Sequence, residues 1–460
     1  MRVFRIATVQ FGLIAARVLL LLLFVAVFIG SARSAQPSVL RYTMQVAATL
    51  DRASVEVNCT QCSELPALTP LSPIATDALA VDQFSSLDLV AGRLHSRKQA
   101  RHGTYSVEFN ADWESRTLDR VATARLRIID PRRWLWVPES WPAHSVIEVE
   151  FQLPPAMSVA TPWALAGRLP NVYRVPFLLP AEEGALIVGP MRQRVIEVAA
   201  SKLRISVIGS TTSRAADYVQ WIDAAVRDVV LTFGEFPLPM AQIVVVPIRQ
   251  AHKPVPFGLV RRGTGSSMIL FVDLDAKIEA LRSDWTLSHE LTHFAHPFFG
   301  AEGRWLAEGL AGYYQNVIRA NSGALTPELA RANLARSFSA TAEENERGPL
   351  QDADRMRTYW TGAVMALDID LQLHSASGAR GSLATAIAAF AKKHLPSNRT
   401  WRPGEYMREL DALSSTSIFF PTYARYARST KFPEYELLTA KAEDLFARPL
   451  PAKTGARAHP

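Results

Sequence analysis

The sequence predicts an α+β chain: an N-terminal antiparallel β-sandwich-like domain, then a second domain whose C-terminal half is mostly helical. Three observations carry this expectation. From about residue 36 to 200 apolar and polar residues alternate with period two, with proline and glycine between the runs. Near Gly209 and Ser210 the spacing becomes helical, and beyond residue 320 helical patterns dominate. A chain of 460 residues has room for two or three domains with large cores. The expected division is 1–35 as a leader, 36–200 as the β domain, 201–320 as an α/β subdomain, 321–447 as a helical subdomain and 448–460 as a disordered tail.

The leader begins with Arg2 and Arg5, and the apolar run Val18 to Ile29 follows Arg17. Gly30, Ser31 and Ala32 come next, which is the layout of a secretory signal peptide cut after Ala32 or Ala35. The expected location is therefore periplasmic or extracellular. Membrane contact enters only if this segment stays uncleaved as an anchor. Cys59 and Cys62 are the two cysteines, and behind a signal peptide they read as a small-loop disulfide, with free thiols as the alternative. The net charge of +7 is spread in pairs such as Arg132-Arg133 and Arg261-Arg262, with no basic tract, so a nucleic-acid partner is not expected.

Strand alternation is clear in Tyr105 to Phe109, Val121 to Ile129 and Ser145 to Phe151. Trp134, Trp136, Trp141 and Trp163 read as core fillers, and His95, His102 and His144 have no spacing partner. Prolines from Pro154 to Pro180 mark a loop-rich stretch. Thr212 or Ser213 then caps a helix reaching about Phe233, with Ala216, Val219, Ile222, Ala225, Val226 and Val229 as its apolar face. Strands follow at Gln242 to Ile248 and Ser267 to Asp273, separated by a loop with Pro254 and Pro256. Thr326-Pro327-Glu328 starts a helix, and further helices cover Arg357 to Leu373, Ser382 to His394 and Arg402 to Leu413.

The residues that carry chemistry lie between those halves. His289 and His293 are four apart, so on a helix their rings leave one face a turn apart and can share one tetrahedral zinc. Glu290, beside the first ligand, is placed to reach a water on the metal rather than the metal itself. Glu308 sits in a second helical pattern after 14 intervening residues and is the natural third ligand. Glu302, in the turn between the helices, ligates only if that loop folds back. A metzincin pattern requires Gly and His where His296 and Phe299 stand, which excludes that class. His296 reads as a partly buried residue three positions along the zinc helix from His293.

Three blocks together resemble a family: Leu-Ser-His289-Glu290-Leu-Thr-His293, then Trp305-Leu-Ala-Glu308-Gly309, then Tyr359-Trp-Thr-Gly362-Ala363. They look like the gluzincin metallopeptidases, nearest the glycyl aminopeptidase-like branch. The resemblance implies a thermolysin-like catalytic domain behind a β domain, one Zn2+ per chain held by His289, His293 and Glu308, a peptide or protein substrate, and Glu290 as general base. It also implies that Tyr359 steadies the anionic carbonyl oxygen of the transition state. The sequence departs from the family in Thr361, where the family has lysine, in the shorter gap before Glu308, and in having no recognisable PDZ domain. The Gly-x-Met-Glu-Asn segment that holds a free amino terminus is missing from the stretch Gly263 to Ile269. The strand Gly263 to Phe271 is expected either to border the cleft and pair with an extended peptide, or to be a core strand. These readings leave two function classes: a zinc metallopeptidase, endopeptidase or aminopeptidase, and a non-catalytic envelope protein that keeps the fold to bind peptides.

Overall fold

In the computed structural model residues 38–446 are described, apart from 81–85, 110–120, 122–124, 140–144, 177, 210, 250, 351–352 and 378–380. The leader, the tail, Trp141 and His144 lie outside the described residues. The predicted α+β class holds, with sheets first and helices after. Among the described residues no helix is long and apolar enough to cross a membrane.

The N-terminal domain is built on a seven-stranded sheet whose centre is Val146–Gln152, Val39–Val46, Arg52–Thr60 and His102–Glu108. Alternating residues of these strands are buried, including Leu40, Tyr42, Met44, Val55 and Val57, as the period-two pattern requires. Smaller sheets of four and three strands pack with it. Trp134, Trp136 and Trp163 are fully buried in its core. One pair departs from the antiparallel expectation, because Val39–Val46 runs parallel to Val146–Gln152. Residues 47–145 separate the two strands, long enough for the crossover a parallel pair requires. Cys59 and Cys62 are bonded to each other.

The second domain has a five-stranded sheet, β1 (Met191–Val198), β2 (Ser201–Ile208), β3 (Met240–Ile248), β4 (Phe257–Arg261) and β5 (Ser267–Asp273), in the order β1-β2-β3-β5-β4. β1 lies before the expected boundary at residue 200 but pairs with β2 across a hairpin turn in which Ala199 has φ 52°. β3 reads as a continuous apolar run because both of its faces are covered. Ile243 and Val245 face the helical core, while Val244 and Val246 face Ala160 and Ile187 of the N-terminal domain.

Helix α1 (Thr212–Phe233) is capped by Thr211, one residue before the expected caps, and buries Ala215, Tyr218, Trp221, Ile222, Val226 and Val229. The short α2 (Ile278–Ser283) leads into α3 (Thr286–Thr292), which continues as a 3-10 turn at His293–Ala295. Then follow α4 (Arg304–Asn321), α5 (Pro327–Glu343), α6 (Arg355–Ser377), α7 (Leu383–His394), α8 (Pro403–Ser414) and α9 (Phe419–Ala427). The predicted cap at Thr326 accepts a backbone amide, and so does Ser382, the first residue of the expected Ser382 to His394 stretch. Helices α4 and α6 cross through two glycines: a Cβ added to Gly309 would lie 2.2 Å from Cα of Gly362. That approach sets the distance between Glu308, beside the first glycine, and Tyr359, one turn before the second.

Candidate metal centre

Every residue of α3 is buried, which explains a helix of so few polar-exposed positions and fixes its rotation. His289 and His293 leave it on one face, with ring centroids 5.1 Å apart. Glu308 reaches them from the second turn of α4: its Oε2 lies 3.2 Å from His289 Nε2 and 3.6 Å from His293 Nε2. The three ligand atoms lie within 4.8 Å of one another. Glu302 is exposed in the connecting turn and stays outside this group. Glu290 and Tyr359 line the same cleft, of about 580 Å³, and the Tyr359 ring stacks on His289 at 5.9 Å. The five residues singled out from the sequence are thus brought to one place.

The outer nitrogens of the two histidines are tied, which turns Nε2 toward the centre. His289 Nδ1 bonds Gln315 Oε1 at 3.0 Å, and an amide oxygen can only accept. His293 Nδ1 bonds His296 Nε2 at 3.0 Å, and His296 Nδ1 bonds the Pro297 carbonyl at 2.8 Å. Burial holds His296 neutral by pushing its pKa well below the usual histidine value. The Pro297 carbonyl takes the one N–H of His296, so its Nε2 accepts and His293 Nδ1 donates. His293 Nε2 is thereby the nitrogen turned toward Glu308 and the centre. His296 is therefore fully buried and positions a ligand, where the sequence reading had it partly buried and without a role. Gln315 was not singled out at all. It lies seven residues after Glu308, two turns along the same helix face, and that periodicity was the signal available.

Burial pushes the Glu308 carboxyl up, but hydrogen bonds from His289 and His293 outweigh it and hold the group well below the usual carboxylate range. Burial opposes a charged His289, and here Glu308 and Glu290 prevail and raise it. Burial raises Glu290, partly offset by the two histidines. This is a cluster of two imidazoles and a carboxylate sharing protons where a cation fits, and metal binding displaces such protons. Two nitrogens and one carboxylate oxygen, each held by a supporting bond or a buried helix, are the donor set of an open zinc site. The residues present fit that ion.

The opposite wall decides between the two readings of Gly263 to Phe271 in favour of a core strand. β5 is interior, flanked by β3 and β4, so the stretch Gly263 to Phe271 does not border the cleft. The edge strand is β4, which the sequence reading took for a loop because of Pro256; proline is tolerated at the start of an edge strand. Residues Pro256 to Arg262 line the cleft. A Cβ on Gly258 would lie 2.5 Å from Cγ of Glu290, so glycine is required there for the general-base candidate to keep its place. Starting from that glycine the edge reads Gly258-Leu-Val-Arg261-Arg262, with arginines where the amine-holding segment has an acid and an amide.

The N-terminal domain completes this wall. Gly263 and segment 179–184 exchange backbone bonds, Leu179 N–H to Gly263 O at 2.6 Å and Gly263 N–H to Glu183 O at 2.9 Å. A Cβ on Gly263 would lie 2.4 Å from the Glu182 carbonyl, so this contact also depends on glycine. Trp163 Nε1–H donates to the Thr264 carbonyl at 2.6 Å. Glu183 pairs with Arg261 at 2.7 Å and with Arg132 at 3.2 Å. By this docking Glu182 becomes part of the cleft lining.

The fold is that of the M1 zinc metallopeptidases, so the gluzincin resemblance holds at the level of architecture. An aminopeptidase N family protein from Idiomarina loihiensis matches with a TM-score of 0.61 at 12% identity, covering 86% of this chain and 77% of that one. An M1 zinc metallopeptidase from Deinococcus radiodurans matches with a TM-score of 0.54 at 15% identity, covering 87% and 94%. A mutant of that enzyme bound to a Tyr-Ser-Ala substrate matches at 0.53 with 16% identity, covering 87% and 95%. No protein-family model and no curated protein matches the chain.

Proposed function

We propose that the protein is a zinc metallopeptidase that hydrolyses peptide bonds in an exported compartment. The observation that carries this reading is the convergence of His289 Nε2, His293 Nε2 and a Glu308 oxygen within 4.8 Å, on the wall of a cleft that also holds Glu290 and Tyr359. Zinc, when bound, supplies Lewis acidity, making water a better nucleophile and polarising the carbonyl attacked. Glu290 takes the proton of the attacking water on a carboxylate oxygen and passes it to the leaving amine nitrogen. The Tyr359 hydroxyl donates to the carbonyl oxygen as negative charge develops on it. β4 presents its free edge beside Glu290, and an extended peptide pairs with it strand to strand. The peptide-bound D. radiodurans structure supports a peptide as the ligand class. Export is supported by the leader pattern and the Cys59–Cys62 bond.

The test is to follow cleavage of a mixed peptide library by the zinc-supplemented full chain and by its Glu290→Gln variant. Wild type is expected to cleave and to carry one zinc. The variant is expected to keep the zinc and to lose roughly 100- to 10,000-fold in rate. Zinc content near zero, or undiminished cleavage by the variant, overturns the reading.

A further inference from the structure

Arg262 ends the strand wall, and its guanidinium, only partly exposed, makes few bonds for a charged group. Its Nη2 donates to the His293 carbonyl, and among the described residues that is its only hydrogen bond. No carboxylate of the described residues stands close enough for an ion pair with it. Arg261, its neighbour, is by contrast matched to Glu183 at 2.7 Å. The negative groups facing Arg262 from farther off are Glu182, Glu290 and Glu308. All three have other work: Glu308 completes the ligand set, Glu290 serves the water, and the Glu182 carboxyl accepts its neighbour's amide at 3.0 Å.

A guanidinium offers five N–H donors in a rigid fork that suits a carboxylate, and here one bond is made. Leaving a part-buried cation without a directly paired carboxylate is unfavourable, and a bound ligand that supplies one gains what the protein forgoes. The cleft lining strengthens the bias, since Arg261, Arg262 and Arg304 are set against Glu182 once the proposed ligand and base are put aside. The guanidinium is held at one point by the His293 carbonyl, and the backbone that carries it is fixed by the neighbouring Gly263 turn docked on the N-terminal domain.

We propose that Arg262 is a specificity-determining residue that receives a carboxylate of the substrate, so that the cleft prefers peptides carrying an acidic group near the bond cut. The inference rests on the peptidase reading above. Four residues of strand, about 13 Å at 3.3 Å per residue, separate Gly258 beside Glu290 from Arg262. The recognised acid therefore lies within four positions of that bond. Its source is either an acidic side chain or the free α-carboxylate of a short peptide, and the chemistry at Arg262 is the same.

The experiment uses the zinc-supplemented full chain and matched peptides, each with Glu or Gln at one position from four before to four after the cleavage point, and each as C-terminal acid and amide. Cleavage is read as kcat/KM in wild type, Arg262→Lys and Arg262→Gln. Binding is read by fluorescence anisotropy in the Glu290→Gln background. A charge-assisted bond predicts that at one position the Glu peptide, or the C-terminal acid, is favoured by roughly 10- to 100-fold. That advantage is expected to shrink in Arg262→Lys, which keeps the charge without the fork, and to vanish in Arg262→Gln. A side-chain pair that discriminates assigns the source to Asp or Glu, and an acid–amide pair assigns it to the α-carboxylate. Equal rates for every pair in wild type, or an advantage that survives Arg262→Gln, overturns the proposal. If Arg262→Gln does not fold, the wild-type pairs and Arg262→Lys decide. Acidic peptides that bind selectively but are never cut leave Arg262 standing and remove the peptidase reading; peptides cut without regard to charge do the reverse.

Discussion

The helical wall of the cleft and the strand wall facing it are made under different constraints. On the helical side His289, Glu290 and His293 come from one buried helix, and Glu308 and Tyr359 from two more whose separation is set by the Gly309–Gly362 crossing. Every group there is directed at a single point. On the strand side β4 is an edge, its neighbouring turn is docked on another domain, and the residues offered to a ligand are Gly258, Arg262 and Glu182. These sit along a line. A point suits a metal and a reacting bond, while a line suits the length of a peptide. The difference suggests that substitutions on the first wall change whether the reaction occurs, and those on the second change what reacts.

The largest expected effect breaks the point. Glu308→Ala removes one of three ligands and leaves His289 and His293 without the carboxylate they share. Zinc affinity, measured by competition with a chromogenic chelator, is expected to fall by well more than the roughly 10- to 100-fold typical of losing a supporting bond. An affinity drop smaller than that would take Glu308 out of the ligand set.

Gly258→Ala tests the contact between the walls. The added methyl group meets the Glu290 side chain, not the metal ligands. Displacing a catalytic group by about 1 Å costs on the order of 100-fold in rate. The expected result is a kcat lowered on that order with zinc content unchanged. A normal kcat would show that Glu290 has room to move aside and that the two walls are independent at this position.

Next in size is His296→Ala, a substitution on the helical wall outside the ligand set. It leaves the His293 Nδ1–H buried with no acceptor and frees the ring to turn. Zinc affinity is expected to fall roughly 10- to 100-fold. His296→Asn, which offers an acceptor oxygen, is expected to restore part of it. Equal losses in both would make His296 a space-filler, not an orienting group.

How far each wall was legible in the sequence follows from the same contrast. Metal chemistry ties residue type to helical spacing, so His289, Glu290, His293 and Glu308 stand out in a single chain. Gln315 and His296 support them by ordinary hydrogen bonds, which many residue types can make, so residue type does not mark them, and the seven-residue spacing of Gln315 from Glu308 is a weak signal by itself. The strand wall was misplaced because Pro254 and Pro256 read as loop and because its lining joins positions as distant as Glu182 and Arg262. Such joining depends on domain docking through Gly263, which no local pattern encodes. The β domain shows a similar limit: alternation marked Ser145 to Phe151 as a strand, but period two is the same in parallel and antiparallel pairs and could not show that it runs parallel to Val39–Val46.

The smallest effect expected is Glu183→Gln, which loosens the strand wall from the β domain without touching the metal. Glu183 bridges Arg261 at 2.7 Å and Arg132 at 3.2 Å, but its side chain is 38% exposed, so solvent screens both pairs. Arg132 keeps Asp130 at 2.7 Å, and what is lost is the partner of Arg261. Pairs this exposed contribute about 0.2–1 kcal/mol each. The melting temperature is expected to drop by about 2 °C or less, and by less still in high salt. Zinc affinity should not move, because no ligand or supporting bond involves Glu183. Any change should appear in peptide selection, since Arg261 then lies unpaired beside Arg262 and adds its charge to the cleft; preference for acidic peptides should rise slightly. A fall of several degrees accompanied by loss of zinc would mean that the metal centre depends on the docked domain, and that the two walls are one structural unit.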